Sequence, residues 1–183
     1  GKCDVTLELK KLLANIHIKT NYLISQKDRV TSKKSRIISE QQQVVRYDKE
    51  NTDEINKKSE QSVIDIFDEI AHQYDVILIS DYGKGLFTYH LTQSLINIAK
   101  KYDKKILVDP KGKDYSKYQG AFLLTPNKKE ASEATNIAIT DETSLNKAIQ
   151  SLKKHCNLVV SIITLSEQGV AVFDKELTIH PTV

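Results

Sequence analysis

Polar and charged side chains follow four short apolar segments of the sequence, at the point where each segment ends. The stretches that carry them are SDYGKG (80–85), DPKG (109–112), TPNKKE (125–130) and TLSEQG (164–169). Lysine side chains and helix amino termini both attract phosphate groups. A fold that gathers these four stretches would therefore place them together at a ligand-binding edge.

The elements between the stretches explain why they would meet. Apolar runs predict strands at 75–80, 105–108, 121–124 and 158–163, and the first run, DVILIS, is typical of a strand buried on both faces. Helical patterns separate the strands, at 88–102, at 127–135 and from an N-cap at Thr140 to about Leu152. This alternation predicts a parallel sheet with right-handed crossovers, whose strand ends share one edge. A β-hairpin is predicted at 169–179.

The first 74 residues have a different pattern. Residues 4–13 and 59–74 predict helices, and 49–58 is a charged linker. Between the helices, 19–47 is polar and β-rich: TNYLIS, SRIIS and QVVRY predict extended strands of a small sheet outside the main one. The pattern favours a flap.

Each stretch also has a purely structural explanation. Asn127 and Glu130 have the spacing of a capping box, which is as good an explanation as a ligand role, and both can hold at once. GKG and DPKG are common turns at strand exits, and Thr164 can simply end a strand. Only their joint placement on one sheet edge favours a binding site. We expect one pocket to be lined by the four exits: Asp81, Lys111, Asn127 and Thr164.

Composition excludes several other classes of protein. The 183 residues are 39% hydrophobic and 28% charged, which allows a real core in one domain or a large piece of one. The apolar runs are too short for a membrane helix. The sequence contains no GxxxxGK[ST], GxGxxG or GxSxG motif. Its five histidines lack zinc-ligand spacing, so we expect them at the surface or at helix ends.

Cysteine usage and the chain termini give a cellular setting. Cys3 and Cys156 make neither a disulfide framework nor a CxxC motif, and no secretory signal opens the chain, so a reducing, cytoplasmic setting is expected. The sequence begins at Gly1 and contains no Met, which indicates a processed chain or a fragment. The net charge of +3 decides nothing alone, and the basic segment 27–36 is explained by a solvated strand face.

At these same residues the sequence resembles the ribokinase/PfkB sugar kinases, and within them the D-glycero-β-D-manno-heptose-7-phosphate kinases. The matching stretches are GKCDVTLELKKLL, TSKKSRIISEQQQVVRYD, ILISDYGKGL, ILVDPKGKDYSKYQGAFLLTPNKKE and ITLSEQGVAVF, in family order. SDYxKG with DPKG and the TPNxxE/SEQG pair is fairly specific to heptose kinases, whereas TPNxxE alone marks only the family. The resemblance implies an α/β, ribokinase-like three-layer sandwich with a mostly parallel central sheet at 75–183 and a small β lid at 19–47, truncated at both ends.

The resemblance also implies an activity: phosphorylation of a heptose 7-phosphate at its anomeric hydroxyl by ATP with Mg²⁺, feeding lipopolysaccharide core synthesis. It places Asn127, Lys128, Lys129, Glu130, Thr164, Ser166, Glu167 and Gly169 at the nucleotide, with Mg²⁺ at Glu130 through water. Because a sugar phosphate needs fixed cations, we expect it near the lid and inner rim, at Lys34, Arg36, Gln43, Asp81, Lys84 and Lys111. A homodimer through the lid is expected, and no nucleic acid or membrane partner.

The departures from the family are large. The family's catalytic Asp lies in a Gly-Ala-Gly-Asp motif that the 183 residues lack, and we expect that Asp to lie beyond Val183. The strand carrying much of the sugar site, as well as an adenylyltransferase domain, has no counterpart either. We therefore expect no catalytic base in this chain and no turnover by it alone. Two alternatives stay open: a ribokinase-like kinase for another sugar, and a non-catalytic module whose β flap pairs with a partner's edge strand.

Overall fold

A computed structural model describes residues 1–182, which divide into two compact units. The first comprises Gly1–Ile66 and Lys84–Leu86, and the second comprises Phe67–Gly83 and the described chain from Phe87 onward. The first unit contains a two-stranded sheet and the second a six-stranded sheet. Three of the four predicted strand exits lie wholly in the second unit, while the first exit, 80–85, is shared between the two.

Two predictions involve the last residue of the sequence, Val183, which lies outside the described residues. The core segment predicted at 75–183 ends at Val183, so the structure describes that segment only as far as Thr182. The catalytic Asp expected beyond Val183 lies outside the sequence altogether, and its place there stays a prediction.

The first unit holds one helix, a hairpin and the start of a second helix. Helix α1 (Asp4–Asn15) confirms the predicted helix at 4–13, and strands β1 (Lys33–Ser39) and β2 (Gln42–Lys49) form an antiparallel hairpin with a bulge after Ile37. The strand predicted for TNYLIS is wrong. Residues 20–25 form no strand, and the Leu23 N–H donates to the Thr20 carbonyl across a turn. An apolar run becomes a strand only where a neighbour pairs with its backbone groups.

The segment Lys84–Leu86 belongs to the first unit, where hydrogen bonds to its carbonyl groups fix it. The Ile55 N–H donates to the Gly85 carbonyl over 2.9 Å, and the Arg29 guanidinium donates to the carbonyls of Asp53 and Lys84. Gly85 has a φ of +71°, and a Cβ there would come within 1.9 Å of the Asp53 carbonyl oxygen. Only glycine fits this close approach, so Gly85 fixes the position of Lys84 beside it.

The second unit is built on six strands that neighbour one another in chain order. They are β3 (Val76–Ser80), β4 (Lys105–Asp109), β5 (Leu123–Leu124), β6 (Val160–Thr164), β7 (Val170–Phe173) and β8 (Leu177–His180). Strands β3 to β6 are parallel, while β7 and β8 add antiparallel and form the predicted hairpin. The sheet is therefore mixed and mostly parallel, and the ends of β3 to β6 point to one edge.

The first of these strands, β3, is less buried than its sequence predicts. The apolar run DVILIS predicts cover on both faces, yet Val76 is 50% and Leu78 is 70% exposed, while Ile79 is buried. Within the described residues β3 pairs only with β4, so it is an edge strand of this sheet. The prediction of a strand is confirmed, and the prediction of two-sided burial is wrong, because no described element covers that face.

Three helices connect the parallel strands, and each begins at a side-chain cap. Helix α2 (Lys57–Ile70) precedes β3 and crosses from one unit to the other; α3 (Tyr89–Lys101), α4 (Lys128–Thr135) and α5 (Glu142–His155) follow. Thr88 caps α3 and Asn127 caps α4. The N-cap predicted at Thr140 is wrong: Asp141 caps α5, because its carboxylate accepts the Ser144 N–H at 2.7 Å.

The core of the second unit lies between these helices and the sheet. Helix α3 buries Leu91, Leu95 and Ile96, and α5 buries Leu145, Ile149 and Leu152, each at most 5% exposed. Removing one such side chain from water contributes about 1.5–3 kcal/mol. This packing holds the helices on the sheet and so fixes the loops at the strand ends. None of the described helices is both long and apolar enough to cross a membrane.

Candidate functional site

The exit of β3 is organised by a buried carboxylate. Asp81 is 5% exposed, and its Oδ1 accepts the Gly83 N–H at 2.7 Å, which bends the chain into a turn. Its Oδ2 accepts hydrogen bonds from Lys117 Nζ and from the Tyr118 hydroxyl, both at 2.7 Å. A carboxylate taken out of water needs such partners, because an unpaired buried charge is costly. Asp81 thus joins the first exit to the loop beyond the second.

The exit of β4 carries an ion pair at the rim of the sheet. Lys111 Nζ donates to Glu130 Oε1 at 2.6 Å, with the Lys111 side chain 53% and the Glu130 side chain 18% exposed. Burial raises the pKa of Glu130, but the hydrogen bonds from Lys111 and from the Asn127 N–H outweigh it, so that pKa lies below its ordinary value. The same pair raises the pKa of Lys111. Both groups are therefore charged at neutral pH.

The exit of β5 leads directly into α4 through a capping box. Asn127 Oδ1 accepts the Glu130 N–H at 2.9 Å, and Glu130 Oε2 accepts the Asn127 N–H at 3.1 Å. The structural explanation of this spacing is thus confirmed, and the Glu130 carboxylate is turned toward the helix amino terminus. Lys128 and Lys129 occupy the first turn; Lys129 lies 4.0 Å from Glu133 and is largely exposed.

The exit of β6 lies beside the third exit. Thr164 forms a parallel bridge with Asn127, and its N–H donates to the Pro126 carbonyl at 3.0 Å. A 3₁₀ turn, Ser166–Gln168, follows, with Ser166 and Glu167 exposed. Gly169 ends it with a φ of +98°, and a Cβ there would lie 1.9 Å from the His180 carbonyl oxygen, so only glycine lets the chain reverse against β8.

Hydrogen bonds join the four exits into one continuous rim. Tyr118 and Asp81 connect the first exit to the second, the Lys111–Glu130 pair connects the second to the third, and the Asn127–Thr164 bridge connects the third to the fourth. The expectation of a single pocket lined by all four exits stays a prediction. A depression of about 540 Å³ is lined by Asn127, Lys128, Lys129 and Ser166, but not by Asp81, Lys111 or Thr164.

The remaining predicted residues belong to the first unit. Lys34 and Arg36 lie on β1 opposite Asp48 and Arg46 of β2, and Gln43 lies on β2 beside the bulge. Arg46 binds Asp48 at 2.6 Å and thereby lowers the pKa of that carboxyl, while Lys34 Nζ stays 3.9 Å from it. Lys84 forms an ion pair with Glu50. Lys34 and Arg36 are exposed and Lys84 is half-buried, so all three cations are accessible.

Sequence analysis missed three residues of the rim. Lys117 and Tyr118 hold Asp81 from a 3₁₀ turn, Ser116–Tyr118, in a stretch with no motif of its own. Asp109, predicted only as a strand exit, carries a pKa that burial and then the nearby Glu130 raise above its ordinary value. The clue available in the sequence was DYSKYQG, which places polar and aromatic side chains one residue after DPKG.

The rim has the groups that a magnesium–nucleotide complex needs. Mg²⁺ is usually held by one or two carboxylates together with waters and substrate phosphates, rather than by a dedicated cage of side chains. Glu130 and Asp109 offer two carboxylates, and the charge of Glu130 contributes to the raised pKa of Asp109. Among residues 1–182 no cluster of three or more His, Cys, Asp or Glu is arranged around a metal position. The two carboxylates therefore fit an ion that is shared with the phosphates of a bound nucleotide.

Comparison with known proteins identifies the family. The sequence profile of the pfkB family carbohydrate kinases matches residues 4–183. The chain belongs to this family. The chain is also 57% identical over all 183 residues to the bifunctional protein HldE of Aliarcobacter butzleri and 50% identical to that of Sulfurimonas denitrificans. It spans 38% of the length of each.

Solved structures of kinases share the fold of the chain. The tetrameric inhibited form of phosphofructokinase-2 from Escherichia coli is similar in structure, with a TM-score of 0.70 at 18% sequence identity. The match covers 99% of this chain and 60% of the phosphofructokinase chain. Arabidopsis thaliana ribokinase, solved with ribose and ATP, matches with a TM-score of 0.56 at 17% sequence identity. This match covers 65% of this chain and 38% of the ribokinase chain. The predicted ribokinase-like α/β fold is thereby confirmed, and the rim lies on a sugar-kinase fold.

Proposed function

We propose that the chain forms part of the phosphoryl-transfer site of an ATP- and Mg²⁺-dependent kinase that converts D-glycero-β-D-manno-heptose 7-phosphate to the 1,7-bisphosphate, for ADP-heptose and lipopolysaccharide core synthesis in the cytoplasm. The observation that carries the proposal is the Lys111–Glu130–Asn127 group at the shared end of parallel strands. The identity to HldE proteins along the whole chain supports the choice of sugar.

The rim suits the nucleotide for electrostatic reasons. Phosphoryl transfer requires charges fixed around the moving phosphoryl group rather than covalent chemistry by the protein. Mg²⁺, when bound, would neutralise charge on the nucleotide phosphates, and Glu130 would hold it through water. The amino terminus of α4 with Lys128 and Lys129 supplies positive potential, and Thr164, Ser166, Glu167 and Gly169 form the adjoining loop that would face the nucleotide.

The first unit supplies the cations proposed for the sugar phosphate. Lys34, Arg36 and Lys84 are accessible, and Gln43 stands on the same hairpin. We propose that residues 19–47 act as the β lid over the acceptor. Ile37, Val45 and Tyr47, each at least 46% exposed, are proposed to pair with a second lid in a homodimer, because an apolar hairpin face is rarely left in water.

The test is an activity panel on the complete protein in which this chain occurs. ADP release is measured with heptose 7-phosphate, fructose 6-phosphate and ribose as acceptors, and ³¹P NMR identifies the product. We expect turnover of heptose 7-phosphate alone, its loss in Glu130→Gln, and its retention in Glu133→Gln on the same helix. Residues 1–183 by themselves are expected to show none, because they lack the Gly-Ala-Gly-Asp motif.

Two results would contradict the proposal. Turnover of fructose 6-phosphate or ribose in place of the heptose would assign the chain to a kinase for another sugar. Absence of ATP-dependent phosphorylation of every acceptor by the complete protein, with the fold intact by circular dichroism, would leave the non-catalytic module.

A further inference from the structure

The carboxylate of Asp81 is hydrogen-bonded to other groups of the same chain. Asp81 has three donors on its two oxygens, and its side chain is only 2% exposed. A sugar hydroxyl or phosphate could reach this carboxylate only if a residue that covers it moved. The role of Asp81 as a direct substrate contact, expected from its position, is therefore poorly supported, and an organising role fits its surroundings better.

The Tyr118 hydroxyl connects this buried carboxylate to the second strand exit. It is 2.7 Å from Asp81 Oδ2 and 3.2 Å from the backbone nitrogen of Lys111. A hydroxyl has one proton to donate, which goes to the nearby carboxylate, so its lone pair accepts the Lys111 N–H. Tyr118 is fully buried. Lys111, whose side chain forms the ion pair with Glu130, is thus also held through its backbone N–H.

The turn after Asp81 closes the same arrangement from the other side. Asp81 Oδ1 fixes the Gly83 N–H, and a Cβ on Gly83 would lie 3.1 Å from Lys111 Cγ. The Gly83 backbone therefore lies against the stem of the Lys111 side chain. Lys111 is therefore held at three points. Gly83 confines its methylene stem, Tyr118 accepts its backbone N–H, and its ammonium donates to Glu130.

We propose that Tyr118, supported by Lys117, is a positioning residue: it acts through Asp81 and Lys111 to hold the Lys111 ammonium beside Glu130. Lys111, expected from the sequence at the sugar phosphate, is thereby proposed to lie where the phosphates of the nucleotide bind. This inference rests on the proposed function for the identity of the ligand, and on the described contacts for the geometry. Lys117 supports the arrangement because its Nζ binds both Asp81 and, at 3.1 Å, the Phe87 carbonyl.

A second buried tyrosine provides the matched control. Tyr115 is 5% exposed, its ring lies 5.7 Å from that of Tyr118, and its hydroxyl has no hydrogen-bond partner among the described residues. Tyr115→Phe and Tyr118→Phe each delete one buried hydroxyl and leave the ring in place. Only Tyr118→Phe removes hydrogen bonds, so the difference between the two variants isolates the connection to Lys111.

The first measurement needs no ligand. Amide hydrogen exchange of the complete protein is followed by mass spectrometry in peptides covering 81–84 and 109–113. We expect exchange in both segments to accelerate about tenfold in Tyr118→Phe, the effect of losing one hydrogen bond to a charged group, and to stay unchanged in Tyr115→Phe. Equal exchange in the two variants would overturn the inference whatever the protein binds.

The second measurement is a double-mutant cycle on the dissociation constant of Mg²⁺–ATP, measured by calorimetry. We expect Tyr118→Phe to weaken binding about fivefold to tenfold. In a Lys111→Met background the same change should have no further effect, because a residue acting through Lys111 has nothing left to position. If the double variant instead loses affinity by the product of the two single-variant factors, Tyr118 has only a general structural role, and the inference is overturned.

The two measurements separate this inference from the proposed function. If the wild-type protein binds no Mg²⁺–ATP, the proposed function fails, and the exchange experiment still decides whether Tyr118 holds Lys111. If Mg²⁺–ATP binds and the cycle is additive, the proposed function stands and the positioning role falls.

Discussion

Charged groups are held in opposite ways in the two units. At the rim of the second unit, the Asp81 side chain is 2% exposed and meets three donors; on the hairpin of the first unit, the Asp48 side chain is 26% exposed and its partner Arg46 is 41% exposed. A buried pair is held in one geometry, and breaking it leaves an uncompensated charge. An exposed pair loses little when broken, because water replaces the partner.

The difference fits the roles proposed for the two units. The rim is organised without a ligand, as electrostatic stabilisation of a moving phosphoryl group would require. The hairpin carries accessible cations whose positions are set weakly, as the proposed lid would need.

The largest expected effect is on Asp81. Asp81→Asn replaces a buried charge whose donors come from Lys117 and Tyr118, so the Lys117 ammonium loses its counter-charge. We expect the free energy of unfolding to fall by about 3–5 kcal/mol, which lowers the melting temperature by roughly 6–20 °C. Thermal and urea unfolding followed by circular dichroism measure both quantities.

A compensating variant tests the cause of that loss. Lys117→Met in the Asp81→Asn background removes the stranded ammonium, so part of the lost stability should return. A double variant that is less stable than Asp81→Asn by the full cost of Lys117→Met would contradict the buried pair as the cause.

The rim pair gives the next effect, which depends on magnesium. Glu130→Gln keeps the shape of the capping box but removes the charge, and we expect it to weaken Mg²⁺–ATP binding at least about tenfold. With magnesium chelated, ATP should bind the variant and the wild type alike, or the variant more tightly, because a negative charge is gone. Calorimetry with and without EDTA measures this, with Glu133→Gln as the control.

The same residue has a signature in the pH dependence of stability. The pKa of Glu130 lies below its ordinary value of 4.5, so its pairing stabilises the fold above that pH, and the contribution disappears as the pH falls through the lowered value. The stability difference between wild type and Glu130→Gln should therefore be constant near neutrality and shrink in acid. A difference that grows in acid would contradict the assigned charge state.

The predictions for Asp81 and Glu130 concern two features of the rim. Sequence analysis could predict the second of them but not the first. The strand exits and the Asn127–Glu130 capping box follow from local patterns: apolar runs, turn residues and a three-residue spacing. The partners of Asp81 do not, because Lys117 and Tyr118 lie 36 and 37 residues away and meet it only after the crossover helix α3 is packed. The prediction that β3 is buried on both faces was wrong for the same reason, because burial depends on neighbouring elements that a run of apolar residues does not specify.

The cysteines extend the comparison to reactivity. In the first unit, Cys3 is the exposed N-cap of α1, and hydrogen bonds from Thr31 and then Thr6 lower its pKa to about 6. In the second unit, burial raises the pKa of Cys156 to about 11. Alkylation by iodoacetamide, mapped by mass spectrometry against pH, should label Cys3 with a midpoint near pH 6 and leave Cys156 unlabelled in the folded protein.

A single variant checks the physical cause of that difference. Thr6→Val removes the hydroxyl 3.6 Å from the Cys3 sulfur and should move the midpoint upward, toward the ordinary thiol value. A midpoint near the ordinary value in the wild type would contradict the hydrogen-bonded thiolate.

The smallest expected effect is on the hairpin and completes the contrast with Asp81. Asp48→Asn removes the carboxylate that Arg46 binds and leaves Arg36 and Arg46 facing each other across β1 and β2. Because these groups are solvated, the melting temperature should stay within the scatter of the measurement at about 1 M salt and fall slightly at low salt, where repulsion between the arginines is not screened. A fall as large as that of Asp81→Asn, or one that persists at high salt, would mean that the hairpin charges are held as rigidly as those of the rim, and the contrast between the units would disappear.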